Sequence, residues 1–285
     1  MSDCMDVGYI GLGNIGKPAA RHLIRDGFRV HVFDLYEPAV RELEAVGALA
    51  HDSVATLAGA CTHIGICVRD DAQVESVLYG DNGVLAHAAP GTLVAIHSTV
   101  TRTGLLRWAG DAADSALLLV DAAVSGGAQG AESGTLCYMV GGDADVVARA
   151  RPVLETSADS VIHAGPTGSG LLLKLCNNVM TYAGFLAMSE ATRLAEAGGL
   201  SAELLREVGK SNGVVNESMF QFVSNRNALA QSCSEAQMDE IFGAFGRLGE
   251  KDLDCALESA AEMGVSLPST ARLREVVYPL FINRA

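Results

Sequence analysis

The chain has 285 residues, close to the size of two ordinary domains, and 49% hydrophobic against 19% charged residues excludes a disordered polypeptide. With 20 Lys and Arg against 34 Asp and Glu, its formal net charge of −14 disfavours nucleic acid and anionic membranes as partners, since no cationic face is left to displace their counterions. Seven cysteines (Cys4, Cys61, Cys67, Cys137, Cys176, Cys233 and Cys255) are an odd number without CxxC or Cys/His spacing, which predicts no metal site and a reducing, cytoplasmic setting; Asp3 and Asp6 before the first strand-like run leave no basic leader to read as a secretory signal.

In chain order, β-branched runs occur at Val7–Ile10, Val30–Phe33, His63–Val68, Leu93–Ile96 and Leu117–Val120. Amphipathic stretches start between them near Asn14, Glu37, Ser53, Asp71 and Thr101. Alternation of strand and helix predicts an α/β, Rossmann-type doubly wound parallel sheet with helices on both faces. The first run leads into Gly11-Leu12-Gly13-Asn14-Ile15-Gly16, a G-x-G-x-x-G loop opening a helix. Such glycines allow backbone N–H groups to approach a pyrophosphate at a positive helix N-terminus; the bare alternative is a glycine-rich turn. Asp34 closes the second run, twenty-one residues past Gly13, where a carboxylate accepts the adenosine ribose hydroxyls and repels a 2′-phosphate. This predicts NAD over NADP, although Asp34 also reads as a cap for the helix near Glu37.

Asp121 to Gly130 is a strand end running into small residues, in which Ser125, Gly126 and Gly127 read either as a carboxylate-binding nest or as a plain turn. Gly165-Pro166-Thr167-Gly168-Ser169-Gly170 then opens a long helix to about Ala197. On it Lys174, Asn177, Asn178 and Thr181 fall at i, i+3, i+4 and i+7, one polar face among Leu, Val and Met. A buried ammonium needs partners or a reacting oxygen, which marks Lys174 for chemistry; a lysine snorkelling to solvent is the other reading. The apolar stretches Leu171–Leu175 and Ala183–Met188 are interrupted by polar residues and are expected to be too short to span a bilayer. Helices are expected at Ser201–Lys210, Glu235–Phe245, Glu250–Met263 and Ser269–Phe281, with breaks at Asn212-Gly213 and Gly264 to Pro268. The expected organisation is a dinucleotide-binding domain over 1–164, a connecting helix over 165–197 and an all-α substrate and oligomerisation domain over 198–285.

Three segments together resemble the β-hydroxyacid dehydrogenase family, typified by 3-hydroxyisobutyrate dehydrogenase and tartronate semialdehyde reductase. They are Ile10 to Ala20; Asp121 to Gly127 with Gly130 to Leu136 and Gly141-Gly142; and Gly168-Ser169-Gly170 through Lys174 to Asn178. Ser98-Thr99, Lys251-Asp252-Leu253 and Gly264 to Pro268 also have counterparts, so the likeness covers nearly the whole chain. It implies reversible oxidation of a 3-hydroxy carboxylate by NAD, in a homodimer or homotetramer. Lys174 would be the general acid/base, Asn178 its positioner, Ser125, Gly126 and Gly127 the carboxylate clamp, and Ser98, Thr99 and Lys251 neighbours of the cofactor. Departures include Asn14 for a usual Met, Ala123 for Pro, His97 before Ser98-Thr99, and Arg69-Asp70 in place of a Leu-Pro turn. Imine reductases share the architecture but usually lack the lysine, and a non-catalytic dinucleotide-binding module is the rival from another class. A third alternative moves proton transfer to His97.

Overall fold

The computed structural model describes residues 5–284, so Asp3 and Cys4 lie outside the described residues. The chain falls into two compact units divided after Lys174. The first carries an eight-stranded sheet in the order β3-β2-β1-β4-β5-β6-β7-β8. Its strands are β1 (Asp6–Ile10), β2 (Arg29–Phe33), β3 (Leu49–Ala50), β4 (His63–Ile66), β5 (Leu93–Ile96), β6 (Leu118–Ser125), β7 (Leu136–Gly141) and β8 (Ala158–Gly165). From β3 to β6 all pairs are parallel, as the alternation predicts. Beyond the expected strands, β7 runs antiparallel to β6, while β8 is again parallel to β7. Between β6 and β7 stands only the short helix α7 (Gly127–Ser133) and a left-handed Gly134, too little chain for a right-handed crossover. Neither β7 nor β8 has a counterpart among the sequence expectations.

The connecting helices α1 (Gly16–Arg25), α2 (Glu37–Glu44), α3 (Val54–Ala60), α4 (Asp71–Leu78), α5 (Val84–His87), α6 (Arg102–Asp114) and α8 (Ala144–Leu154) cover the sheet. One apolar cluster gathers Val7, Leu23, Val32 and Leu43, and another gathers Leu93, Val120, Leu136 and Val140. Trp108 on α6 is fully buried, and its indole N–H finds no acceptor among the described residues. Strand order reverses between β1 and β4, the switch point at which doubly wound sheets open a crevice at the carboxyl ends of their strands.

α9 (Ser169–Ala197) begins in the first unit and continues into the second, followed by α10 (Ala202–Asn212), α11 (Glu217–Ala230), α12 (Glu235–Glu262) and α13 (Pro268–Phe281). The segments expected separately at Glu235–Phe245 and Glu250–Met263 are one continuous helix, and its glycines sit at close helix contacts. A Cβ on Gly246 would lie 2.8 Å from Tyr278, and one on Gly249 would lie 2.9 Å from Val277 and 3.2 Å from Tyr182. α11 escapes the sequence reading; Asn216 caps it, its side-chain oxygen accepting from the Ser218 and Met219 amides. Tyr182, Met238, Phe242, Leu253, Leu273, Val277 and Phe281 form the core of this unit. The buried Arg226 guanidinium donates to the Leu280 carbonyl at 2.7 Å and to Ser189 Oγ at 3.1 Å, satisfying a carbonyl at the end of α13. By length and composition alone α9 is long and apolar enough to cross a membrane, contrary to the expectation drawn from its interrupted runs. Helical continuity joins those runs across Lys174 and the two asparagines. One such helix is also what the core of a water-soluble enzyme presents.

Candidate active site

The glycine-rich loop is shaped by close approach. Gly11 has φ +92°, and a Cβ there would stand 2.2 Å from the Cys67 carbonyl oxygen; one on Gly16 would stand 1.9 Å from the Gly11 carbonyl oxygen. Gly13 faces open space: a Cβ there would meet nothing within 4 Å among the described residues. α1 begins here with no side-chain cap and no acidic residue in its first turn. Its N–H donors therefore point into an uncapped, glycine-lined cradle of the kind a pyrophosphate fills. That donor set and open space fit a dinucleotide.

Asp34 stands at the carboxyl end of β2. Its Oδ2 accepts from the Leu12 amide at 2.5 Å and its Oδ1 from the Tyr36 amide at 2.7 Å. The predicted cofactor residues Gly11 to Gly16 and Asp34 are thus brought together by a direct bond. Ser98 sits beside the end of β4, where its hydroxyl accepts from the Val68 amide at 2.9 Å and donates to the Val68 carbonyl at 2.7 Å. It anchors the segment leading to Arg69, a positioning part that spacing alone does not reveal. His97 precedes it with 3% exposure. The ring stacks on Tyr9 at 5.6 Å, meets Tyr138 edge-on at 5.5 Å, and bonds the Ala122 carbonyl through Nδ1 at 2.9 Å. Burial pushes its pKa down to about 4, against the pull of that carbonyl. Nδ1 is accordingly the protonated nitrogen of a neutral core ring.

Asp121, on the strand that leads to Ser125-Gly126-Gly127, has a task of its own. Its buried carboxylate accepts from the Gly168 and Leu171 amides, each at 2.7 Å, and so caps the N-terminus of α9. Burial raises its pKa even though these N–H groups pull the other way. The same close packing explains Gly170, where a Cβ would lie 2.3 Å from the Met139 carbonyl oxygen. Ser125 ends β6 half-buried; Gly126 and Gly127 follow exposed, with φ of +127° and +61°. These backbone angles turn the chain into α7 and belong to glycine.

Lys174 lies on α9 one turn before Asn178. The helix is less enclosed than its apolar sequence suggests: Lys174 is half-buried, Leu173 and Met180 are exposed, and the buried stripe runs through Leu171, Leu175, Asn178 and Tyr182. In the second unit, Asp252 Oδ2 accepts from Asn178 Nδ2 at 2.8 Å and from the Tyr182 hydroxyl at 2.9 Å, all three being buried. Lys251 Nζ lies 2.9 Å from Asp252 Oδ1, as an ion pair of neighbours without hydrogen-bond alignment. Because a carboxylate only accepts, Asn178 must turn its nitrogen to Asp252 and its oxygen away. Burial and the adjoining Asp252 charge raise the Tyr182 pKa, keeping it a donor. Asp252 and Tyr182 are additions to the residues expected from sequence.

A switch-point crevice, a glycine cradle on an uncapped helix and an acid closing the second strand define a dinucleotide-binding α/β protein. The family model described as the NAD binding domain of 6-phosphogluconate dehydrogenase matches residues 6–165, and that described as NAD-binding of NADP-dependent 3-hydroxyisobutyrate dehydrogenase matches residues 168–280. An NAD-dependent L-serine dehydrogenase of Pseudomonas aeruginosa is 36% identical over 92% of this chain and 87% of its own. A 3-hydroxyisobutyrate dehydrogenase of the same organism is 36% identical over 95% and 90%. The solved structure of a Mycobacterium tuberculosis 3-hydroxyisobutyrate dehydrogenase with L-serine superposes with a TM-score of 0.82 at 30% identity, covering 99% of this chain and 95% of that one. The chain belongs to the β-hydroxyacid dehydrogenase family, and its first unit is an NAD-binding domain.

Proposed function

We propose that the protein reversibly oxidises a small 3-hydroxy carboxylate to the semialdehyde or ketone, with Lys174 as general acid/base. When bound, NAD supplies the hydride acceptor. In oxidation the neutral Lys174 amine takes the proton of the substrate hydroxyl; in reduction the ammonium returns it. The observation that carries this reading is the fixed amide of Asn178. Asp252 turns its oxygen away from the carboxylate and leaves it, one helical turn from Lys174, as an acceptor for the ammonium or the hydroxyl. Ser125, Gly126 and Gly127 take the substrate carboxylate, and Gly11 to Gly16, Asp34, Ser98, Thr99 and Lys251 serve the cofactor. In this reading residues 1–164 hold the dinucleotide, 165–197 connect, and 198–285 serve substrate and assembly, in a cytoplasmic homodimer or homotetramer.

Serine, 3-hydroxyisobutyrate and 2-(hydroxymethyl)glutarate, named for relatives of this chain, share a CH₂OH group β to a carboxylate and differ at carbon 2. That shared unit defines the substrate class proposed here. The enclosed neutral ring of His97, held by the Ala122 carbonyl and two tyrosines, argues against a histidine mechanism, and Lys174 argues against an imine reductase. A panel of acids varied at carbon 2 and scored by NADH formation tests the proposal. Turnover of CH₂OH acids with little turnover of their amides or of the simple alcohols supports it; equal turnover of the neutral analogues overturns the clamp.

A further inference from the structure

We infer that Asp34 acts twice: its carboxylate braces the glycine-rich loop as well as recognising the ribose, so that phosphate grip and ribose recognition share one side chain. The inference rests on the proposed role of Asp34 at the cofactor. On its outer side the loop faces open space, since a Cβ on Gly13 would meet nothing within 4 Å among the described residues, while on its inner side Leu12 is buried in the apolar cluster. Two bonds from backbone donors tie the loop to the end of β2: the Gly11 amide donates to the Phe33 carbonyl at 3.1 Å, and the Leu12 amide to Asp34 Oδ2 at 2.5 Å. The second of these is a charge-assisted bond to a side chain, and Oδ1 is fixed in turn by the Tyr36 amide at 2.7 Å. Each carboxylate oxygen has two acceptor directions, so both retain one for a ribose hydroxyl.

A consequence follows for cofactor choice. Replacing Asp34 to admit a 2′-phosphate removes the repulsion and at the same time frees the Leu12 amide, so the loop must be ordered by the ligand that binds it. Grip on the pyrophosphate is then weakened for NAD and NADP alike.

The test uses two ligands that share adenine and diphosphate, ADP and 2′,3′-dideoxy-ADP, titrated calorimetrically against the wild-type protein, Asp34→Ala and Asp34→Asn. Were Asp34 only a ribose reader, Asp34→Ala would leave dideoxy-ADP binding unchanged. The brace predicts instead that Asp34→Ala weakens dideoxy-ADP by about ten- to hundredfold, the scale of one lost charge-assisted bond. Asp34→Asn, which keeps one acceptor oxygen for the two amides of Leu12 and Tyr36, is predicted to fall between wild type and Asp34→Ala. Hydrogen exchange of the Leu12 amide in the ligand-free protein is predicted to accelerate most in the alanine variant. Should that variant fail to fold, Asp34→Leu against Asp34→Asn gives the same comparison. Unchanged dideoxy-ADP affinity with unchanged Leu12 exchange overturns the inference. Equal wild-type affinity for ADP and dideoxy-ADP overturns the ribose role while leaving the brace standing.

Discussion

Lys174 and Asp34 carry the two predictions that belong to single side chains. A positioned acid/base contributes about 10²–10⁴-fold to rate, so Lys174→Ala is expected to lose at least about two orders of magnitude in kcat while its Kd for NADH, read by fluorescence, stays near wild type. Lys174→Arg is expected to rescue poorly, because a guanidinium does not accept the hydroxyl proton at any working pH. A folded alanine variant with near-normal turnover would remove Lys174 from the reaction. Asp34 is expected to make kcat/KM higher with NAD than with NADP, by repulsion of a 2′-phosphate of charge about −1.5 to −2; equal values would contradict its role. The lysine was legible because a cation recurring with asparagines on an apolar helix face is a local pattern. Asp252 and Tyr182 were not: the Asn178 bond to Asp252 spans 74 residues, and nothing in an i, i+4 pattern announces a partner on a distant helix. His97 was legible only as a histidine at a strand end. Its enclosure between Tyr9 and Tyr138 depends on Gly65, where a Cβ would lie 2.9 Å from His97 Nε2.

At the scale of elements, the long helix starts where a strand residue lets it. Asp121 holds the Gly168 and Leu171 amides, and a buried N–H left without an acceptor costs about 1–3 kcal/mol. Asp121→Ala is therefore expected to destabilise the first unit by about 2–4 kcal/mol in denaturant unfolding, with Asp121→Asn intermediate because its amide oxygen still accepts. A change within experimental error for Asp121→Ala would show that water satisfies those amides and that the cap is dispensable. Strands β1, β2, β4 and β5 were readable as β-branched runs between turn residues. β7 and the edge strand β8 were not, since Leu136–Gly141 includes Cys, Met and Gly and β8 is largely exposed. The continuity of α12 was likewise hidden. Gly246 and Gly249, which fall between the two segments expected there, are contact points against Tyr278, Val277 and Tyr182, a case of tertiary packing overriding local propensity.

For the molecule as a whole, acid is the expected weak side. His63 and His97 are buried as neutral rings; burial lowers their pKa values from 6.5 to about 3 and about 4. Below pH 6.5 the unfolded chain takes up protons that the folded chain does not, so stability is complete above 6.5 and is lost as pH falls toward 4. For His97 alone the loss over that interval is about 3 kcal/mol. The Tm is expected to fall steadily between about pH 7 and pH 4.5, and His63→Leu, which removes a ring whose Nε2 has no partner among the described residues, is expected to flatten the fall without lowering the Tm at neutral pH. An unaltered slope in that variant would exclude His63 as a source.

The single tryptophan of the sequence is Trp108, sealed in the first unit by α6. Intrinsic tryptophan emission therefore reports only one of the two units, with no signal from the helices after Lys174. Far-ultraviolet ellipticity draws on the helices of both and so also registers the other. Divergence of the two curves in a single urea titration would then measure how far the units unfold independently, with no label introduced and no residue changed.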